Sequence, residues 1–202
     1  VSASLSGTTI YGQTLTADPG TWTNSPTSYT YEWLRSSTNV AANFTTISGA
    51  TSSTRSLVAA DVGMYLKVSV CATNAGGTGC AFTNTVQIST KALTITAGSK
   101  SATYSGSAAA ITNSYSITSG SLVGSDTFTA LTYTYTSASP SYNSTTIPTN
   151  AGTYTITPSA ASFSVGSASS YSITYETATL TIAKANQTSI TSVTLSTSSK
   201  SY

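Results

Sequence analysis

Tyr29-Thr30-Tyr31-Glu32-Trp33-Leu34-Arg35 alternates large aromatic residues with Thr30 and Glu32. Successive side chains of an extended chain point to opposite sides, so a period of two puts Tyr29, Tyr31 and Trp33 on one face. The segment predicts a half-buried β-strand with the Trp33 face turned to a core. Further on, Leu66, Val68 and Val70 share a face, while Tyr65, Lys67, Ser69 and Cys71 occupy the opposite, solvent-facing side. The apolar triplet sets the register, because a slip of one residue would turn it to water. Around these strands, Asp18-Pro19-Gly20, Asn24-Ser25-Pro26, Ser48-Gly49 and Asn74-Ala75-Gly76-Gly77 place turns at roughly the 8 to 12 residue spacing of a β-sandwich.

The composition carries the same message along the whole chain. Ser and Thr make up roughly 40% of 202 residues and alternate with Val, Ile, Leu and Tyr. There is no histidine, and the seven bases and five acids are scattered singly. No basic cluster is present to neutralise a run of phosphates, so nucleic acid is not an expected partner. No stretch approaches the roughly 20 apolar residues of a membrane span. Thirteen Tyr and two Trp supply the apolar surface that a disordered Ser/Thr tract lacks, and a folded chain is expected. Val1-Ser2-Ala3-Ser4 carries neither an initiator Met nor a signal peptide and reads as part of a longer exported chain.

An internal period divides the chain. Lys91-Ala92-Leu93-Thr94-Ile95 and Lys184-Ala185-Asn186-Gln187-Thr188 lie 93 residues apart, each after an alternating run: Asn84 to Thr90 and Thr177 to Ile182. The expected fold is all-β, with two immunoglobulin-like antiparallel β-sandwich domains in tandem at residues 1–90 and 91–183. Residues 184–202 are then a linker and the first strand of a following module. Junctions this short restrict bending, so modules set end to end are expected.

The first domain resembles the immunoglobulin-like repeats of bacterial surface proteins. The resemblance rests on Gly12 to Ala17, Gly20-Thr21-Trp22, Tyr31 to Arg35, Ile47 to Thr51, Ala60-Asp61-Val62-Gly63, and Val68-Ser69-Val70 through Asn74-Ala75-Gly76. Lys67 stands where antibody-type domains place their second core cysteine, so the inter-sheet disulfide of antibodies is absent. Residues 91–183 resemble the MBG-type repeat of large bacterial adhesins. The matching stretches are Lys91 to Ala97, Lys100 to Tyr104, Gly120 to Thr127, Asn150 to Ile156, and Tyr171 to Tyr175 through Leu180-Thr181-Ile182. Tyr104-Ser105 replaces the Tyr-Gly usual in that family. The resemblance implies a small β-sandwich used as a repeated surface module and implies no reaction.

Cys71 and Cys80 flank Ala72 to Gly79, whose Asn and glycines suit a reversal between antiparallel strands. Opposed there, the two sulfurs come within bonding range, and a hairpin disulfide in an oxidising compartment is expected. A metal or redox site is the alternative, but there is no CxxC and no His to complete a shell. Catalysis is weighed by elimination. Without His, a Ser or Cys nucleophile needs Lys or a carboxylate as its base. The residues three before the lysines are Met64, Ile88, Ala97, Thr181 and Thr197, so the Ser-x-x-Lys spacing is missing. Turn and surface roles account for Asp18, Glu32, Asp61, Asp126 and Glu176, and no Asp-x-Asp pattern points to calcium. No enzyme activity, cofactor or metal is expected. Lys67 and Lys100 are strand lysines of the kind that form Lys-Asn isopeptide crosslinks in some surface adhesins. Asn43, Asn143 and Asn186 open N-linked sequons.

Tyr133, Tyr135, Tyr142, Tyr171 and Tyr175 concentrate in the second domain. Exposed aromatic platforms stack on sugars or partner proteins; the other reading has alternate tyrosines closing the sandwich with their hydroxyls at its rim. The expected function is a non-enzymatic extracellular structural module of a bacterial cell-surface stalk or filament protein, partnered by neighbouring repeats or subunits of the same protein. Two alternatives stand beside it. One is an adhesin domain recognising a surface glycan or host protein. The other is a subunit polymerising by strand addition, with Val193 and Leu195 on the inserted strand.

Overall fold

A computed structural model describes residues 2–186, and its strands account for all the layers of the fold. In the first sandwich these are β1 (Ser4–Gly7), β2 (Thr14–Asp18), β3 (Ser28–Ser36), β4 (Thr45–Thr46), β5 (Thr54–Ser56), β6 (Tyr65–Asn74), β7 (Gly77–Phe82) and β8 (Val86–Gln87). One layer has the order β1-β2-β5. The other runs β4-β3-β6-β7, with β8 also pairing with β6. The second sandwich contains β9 (Lys91–Ala97), β10 (Lys100–Thr103), β11 (Tyr115–Ser119), β12 (Thr127–Ala138), β13 (Ser141–Ser144), β14 (Gly152–Val165), β15 (Tyr171–Glu176) and β16 (Ala178–Ala183). Its layers are β11-β9-β15 and β10-β16-β14-β12-β13. The chain is thus all-β.

The aromatic stretch forms β3 and pairs antiparallel with β6, setting Trp33 against Val68 and Tyr31 against Val70. Trp33, Leu66, Val68 and Val70 are fully buried with Leu15, and the indole N–H of Trp33 donates to Ser52 O at 2.8 Å. Burial fades toward the start of β3. Tyr31 is half-buried, and Tyr29, past the edge of the core, is exposed and packs instead beside Trp22, with ring centroids 6.4 Å apart.

The reading of Lys67 as solvent-facing is corrected. Leu34 and Lys67 stand opposite each other on the outer face of this sheet, yet both are buried. The segment between β3 and β4 folds back over that face and brings Phe44 with it. The Lys67 ammonium lies 4.2 Å from the Phe44 ring centroid and 4.3 Å from that of Phe82. Its aliphatic stem covers apolar surface while the charge is held by two ring faces, an environment quite different from the carboxylate-assisted setting of an isopeptide lysine.

Two pairings in the second sandwich are parallel, contrary to a wholly antiparallel reading. β15 runs alongside β9 with Tyr171 opposite Lys91, and β10 alongside β16 with Lys100 opposite Leu180. They arise because the chain changes layers at Gly98-Ser99, so that β9 and β10 join different sheets. β12 and β14 are long, and register shifts between Thr127 and Thr132 bend the pair. One end of it packs Tyr135, Tyr154 and Ile156 with Leu180 and Ile182. The other end brings Phe128 and Phe163 to Leu93, Ile95 and Tyr171.

Candidate functional site

The expected disulfide is present. Cys71 on β6 lies opposite Cys80 on β7, and their sulfurs are bonded. The hairpin is thereby closed close to its turn.

The five tyrosines do not form a common platform. Tyr135 is fully buried and donates to Asn113 Oδ1 at 2.7 Å; Tyr171 is buried in a separate cluster. These two are corrected from surface contacts to core residues. Tyr133, Tyr142 and Tyr175 are half-buried. Tyr142 packs edge-on against Tyr154 at 5.6 Å and donates to Thr146 O, while Tyr175 accepts from Ala161 N at 2.8 Å. The hydroxyls of Tyr135, Tyr142, Tyr171 and Tyr175 each meet a backbone or side-chain partner, as buried tyrosines usually do. The exposed tyrosines of this sandwich are Tyr104 and Tyr115. Val193 and Leu195 lie outside the described residues.

Two acids read as turn or surface residues do lie in turns but are buried. Asp61 has no exposed surface and binds both Arg35, at 3.0 Å, and Arg55, at 2.9 Å. Its Oδ2 also accepts from Val58 N at 3.1 Å. This knits the turn after β5 to the sandwich. Asp126, in the turn before β12, is buried at the boundary between the two sandwiches.

That boundary carries the most elaborate constellation among the described residues. Just before β2, Ile10 forms a parallel bridge with Ser89, Tyr11 N donates to Ser89 O at 3.0 Å, and Ser89 N donates to Thr9 O at 2.8 Å. β9 begins only two residues later. The Tyr11 side chain leaves its own sandwich and enters the core cluster of the next one, where it is 6% exposed. Its ring meets Tyr171 edge-on at 5.5 Å, and its O–H donates to Asp126 Oδ2 at 3.0 Å. Tyr171 donates to the same oxygen at 2.5 Å and accepts from Val123 N at 2.8 Å. Phe163 also stacks on Tyr171, with ring centroids 5.4 Å apart.

Sequence supports this geometry locally. Gly12 adopts φ +81, and a Cβ there would lie 2.6 Å from Val123 Cγ2, so glycine permits both the turn and the close approach. Val62, carried by the turn that Asp61 braces, packs against the same cluster. The signals available beforehand were the Tyr11-Gly12 pair and an acid, Asp126, embedded after Leu122-Val123. Neither reveals its partner, because 115 residues separate Tyr11 from Asp126.

The chemistry is that of a latch. One carboxylate oxygen accepts two phenolic protons in a water-poor setting, which strengthens both charge-assisted bonds. Burial raises the pKa of Tyr11 and of Tyr171, and the bond to Asp126 raises each further. Burial likewise raises Tyr31, Tyr133, Tyr135 and Tyr154. A phenol whose folded pKa exceeds its unfolded value stabilises the fold fully below about pH 10, and that stability is lost as pH climbs through the folded values. With no histidine present, the melting temperature is expected to stay nearly flat from about pH 6 to pH 9 and to fall steeply above about pH 10. Thermal unfolding across this range, read with the phenolate absorbance, checks the expectation; a melting temperature that holds to about pH 12 would refute it.

Fold and junction together define a tandem of immunoglobulin-like β-sandwiches whose neighbouring cores share a buried hydrogen-bonded contact. Residues 93–181 match the family described as MBG domain (YGX type). Among solved structures, the chain is similar to Dscam1 isoform 9.44, N-terminal four Ig domains, at 11% identity and a TM-score of 0.32, covering 92% of this chain and 47% of that one. It is also similar to Dscam1 isoform 1.9, N-terminal four Ig domains, at 12% identity and a TM-score of 0.25, covering 79% and 38%. The chain thus spans less than half the length of these structures. Comparison with curated proteins finds no match. Among the described residues, no helix is long and apolar enough to cross a membrane, and no group of three or more His, Cys, Asp or Glu is placed to hold a metal.

Proposed function

We propose that this chain is a non-enzymatic extracellular structural module of a bacterial cell-surface stalk or filament protein, whose task is to hold consecutive sandwiches in a fixed relation. The observation that carries the reading is Tyr11, buried in the core of the following sandwich and bonded to Asp126. A flexible pair of domains has no use for a side chain that crosses the boundary in this way, since relative motion is the ordinary state of weakly joined domains. The disulfide supports an oxidising compartment, and the match to a surface-repeat family supports a module built for repetition. Its partners are then neighbouring repeats or subunits of the same protein.

Nuclear magnetic relaxation tests the proposal. In the wild type, amides of both sandwiches are expected to report a single rotational correlation time. In Tyr11→Ala each sandwich should keep its fold, because the side chain makes its contacts across the boundary, but the two should tumble with separate and shorter correlation times. Tyr11→Phe is expected to fall between them. Independent tumbling in the wild type would sink the proposal.

A further inference from the structure

The far end of the second sandwich repeats the geometry from which Tyr11 projects. Tyr11 N donates to Ser89 O next to the Ile10–Ser89 bridge; Tyr104 N donates to Ala183 O at 2.8 Å next to the parallel pairing of Thr103 with Ala183. Tyr104 follows Tyr11 by 93 residues, the interval that also separates Lys91 from Lys184. The turn beside each tyrosine corresponds as well. Val62, which joins Tyr11 at the boundary, sits in Asp61-Val62-Gly63, with Gly63 N donating to Ile88 O. Ala151 sits beside Tyr104 in Asn150-Ala151-Gly152, with Gly152 paired to Ile182.

The two ends differ in what covers them. Tyr11 is 6% exposed beneath the following sandwich, whereas Tyr104 is 41% exposed. Tyr104 lines an open cleft of about 410 Å³ with Asn150, Ala151, Lys184 and Ala185. The positive-φ turn also falls one residue later: Gly106, at φ +80, does at this end what Gly12 does at the other, with open space where Gly12 meets Val123.

We infer that this end is the docking face for a further β-sandwich of the same class as residues 91–183, with Tyr104 as the side chain it buries. The inference rests on reading the Tyr11 contact as a latch. The chemistry required of the occupant is what the second sandwich offers Tyr11: a buried carboxylate to accept the phenolic proton, walled by aromatic rings. The other exposed tyrosine of this sandwich does not qualify, since Tyr115 pairs with Ala97 on the opening strand β9, whereas Tyr104 is bonded to Ala183 at the end of the closing strand β16. The chain itself passes through the cleft at Lys184-Ala185, so a module begun there is delivered to the face without a linker.

The test compares the 202-residue chain with one in which a second copy of residues 91–183 follows Ala183, so that the copy's first lysine falls at the place of Lys184. Tyr104 of the appended copy is changed by Tyr104→Phe, which leaves one such tyrosine to follow. Tyrosines are nitrated with tetranitromethane and read by mass spectrometry. In the original chain, Tyr104 is expected to react at a rate close to that of Tyr115. In the extended chain its rate should drop at least about tenfold, as for a group reached only through local opening. Asp126→Ala in the appended copy should restore that rate at a temperature where the copy is still shown to be folded by its own cooperative melting. Unchanged reactivity of Tyr104 beside a cooperatively melting appended copy would overturn the inference. An appended copy that fails to fold there would overturn it too, since the face would have failed to receive the module it fits. Tyr11, followed in the same samples, separates the two ideas: protected Tyr11 with reactive Tyr104 removes only this inference, and reactive Tyr11 removes the latch itself.

Discussion

Asp126→Ala is expected to destabilise the second sandwich by about 2 to 5 kcal/mol, because one truncation strips the acceptor from two buried phenols. Tyr11 and Tyr171 both donate to Oδ2, and among the described residues neither hydroxyl has another acceptor. For a domain of this size each kcal/mol corresponds to roughly 4 to 8 °C, so a drop of at least about 8 °C in melting temperature should be seen. Asp126→Asn keeps an acceptor oxygen of the same shape and should cost markedly less. The functional consequence is separable from the loss of stability. A double-mutant cycle of Tyr11→Phe with Asp126→Asn isolates the bond that crosses the boundary, and a coupling of about 0.5 to 3 kcal/mol is expected. Additivity within error, or an alanine variant as stable as the wild type, would show that the latch contributes nothing.

Asp61→Ala should cost the first sandwich about 3 to 5 kcal/mol. The carboxylate has no exposed surface, and its removal leaves the Arg55 guanidinium, whose side chain is only 15% exposed, without a counter-charge. Among the described residues Nε of Arg55 already lacks a partner, so the site has no spare acceptor to redistribute. Val58 N would lose its acceptor in the same step. Since the turn after β5 also presents Val62 to the neighbouring sandwich, the variant is expected to loosen the junction as well as the fold. Denaturant unfolding followed by Trp33 fluorescence measures the first effect. A midpoint shift smaller than that of a typical surface substitution would contradict the burial argument.

These two acids show where reading along the chain stops. Asp61 occupies a turn, as its neighbours Val62-Gly63 suggest, and Asp126 a turn before β12; both local assignments are correct. What local pattern cannot supply is the partner. Arg35 and Arg55 reach Asp61 from different layers of the sandwich, and Tyr11 reaches Asp126 from another domain. The aromatic residues teach the same lesson. Alternation places Tyr133 and Tyr135 on one face, but packing with Tyr154, Ile156, Leu180 and Ile182 is what seals Tyr135 from water, and packing with Tyr11 and Phe163 does so for Tyr171.

From the amino-acid order alone came the all-β class, the strand holding Trp33, its apolar opposite at Leu66, Val68 and Val70, and the Cys71–Cys80 hairpin. Those features depend on a period of two, on turn residues and on neighbours close in the chain, and such interactions are written locally. Tertiary structure alone decided that the outer face at Lys67 is roofed by Phe44, that β9 pairs in parallel with β15 and β10 with β16, and that Tyr11 serves the core of the next sandwich. Strand periodicity distinguishes two faces without saying what will cover either. Whether a face meets water, a loop or another domain is settled by contacts between residues far apart in sequence, whose individual patterns carry no mark of one another.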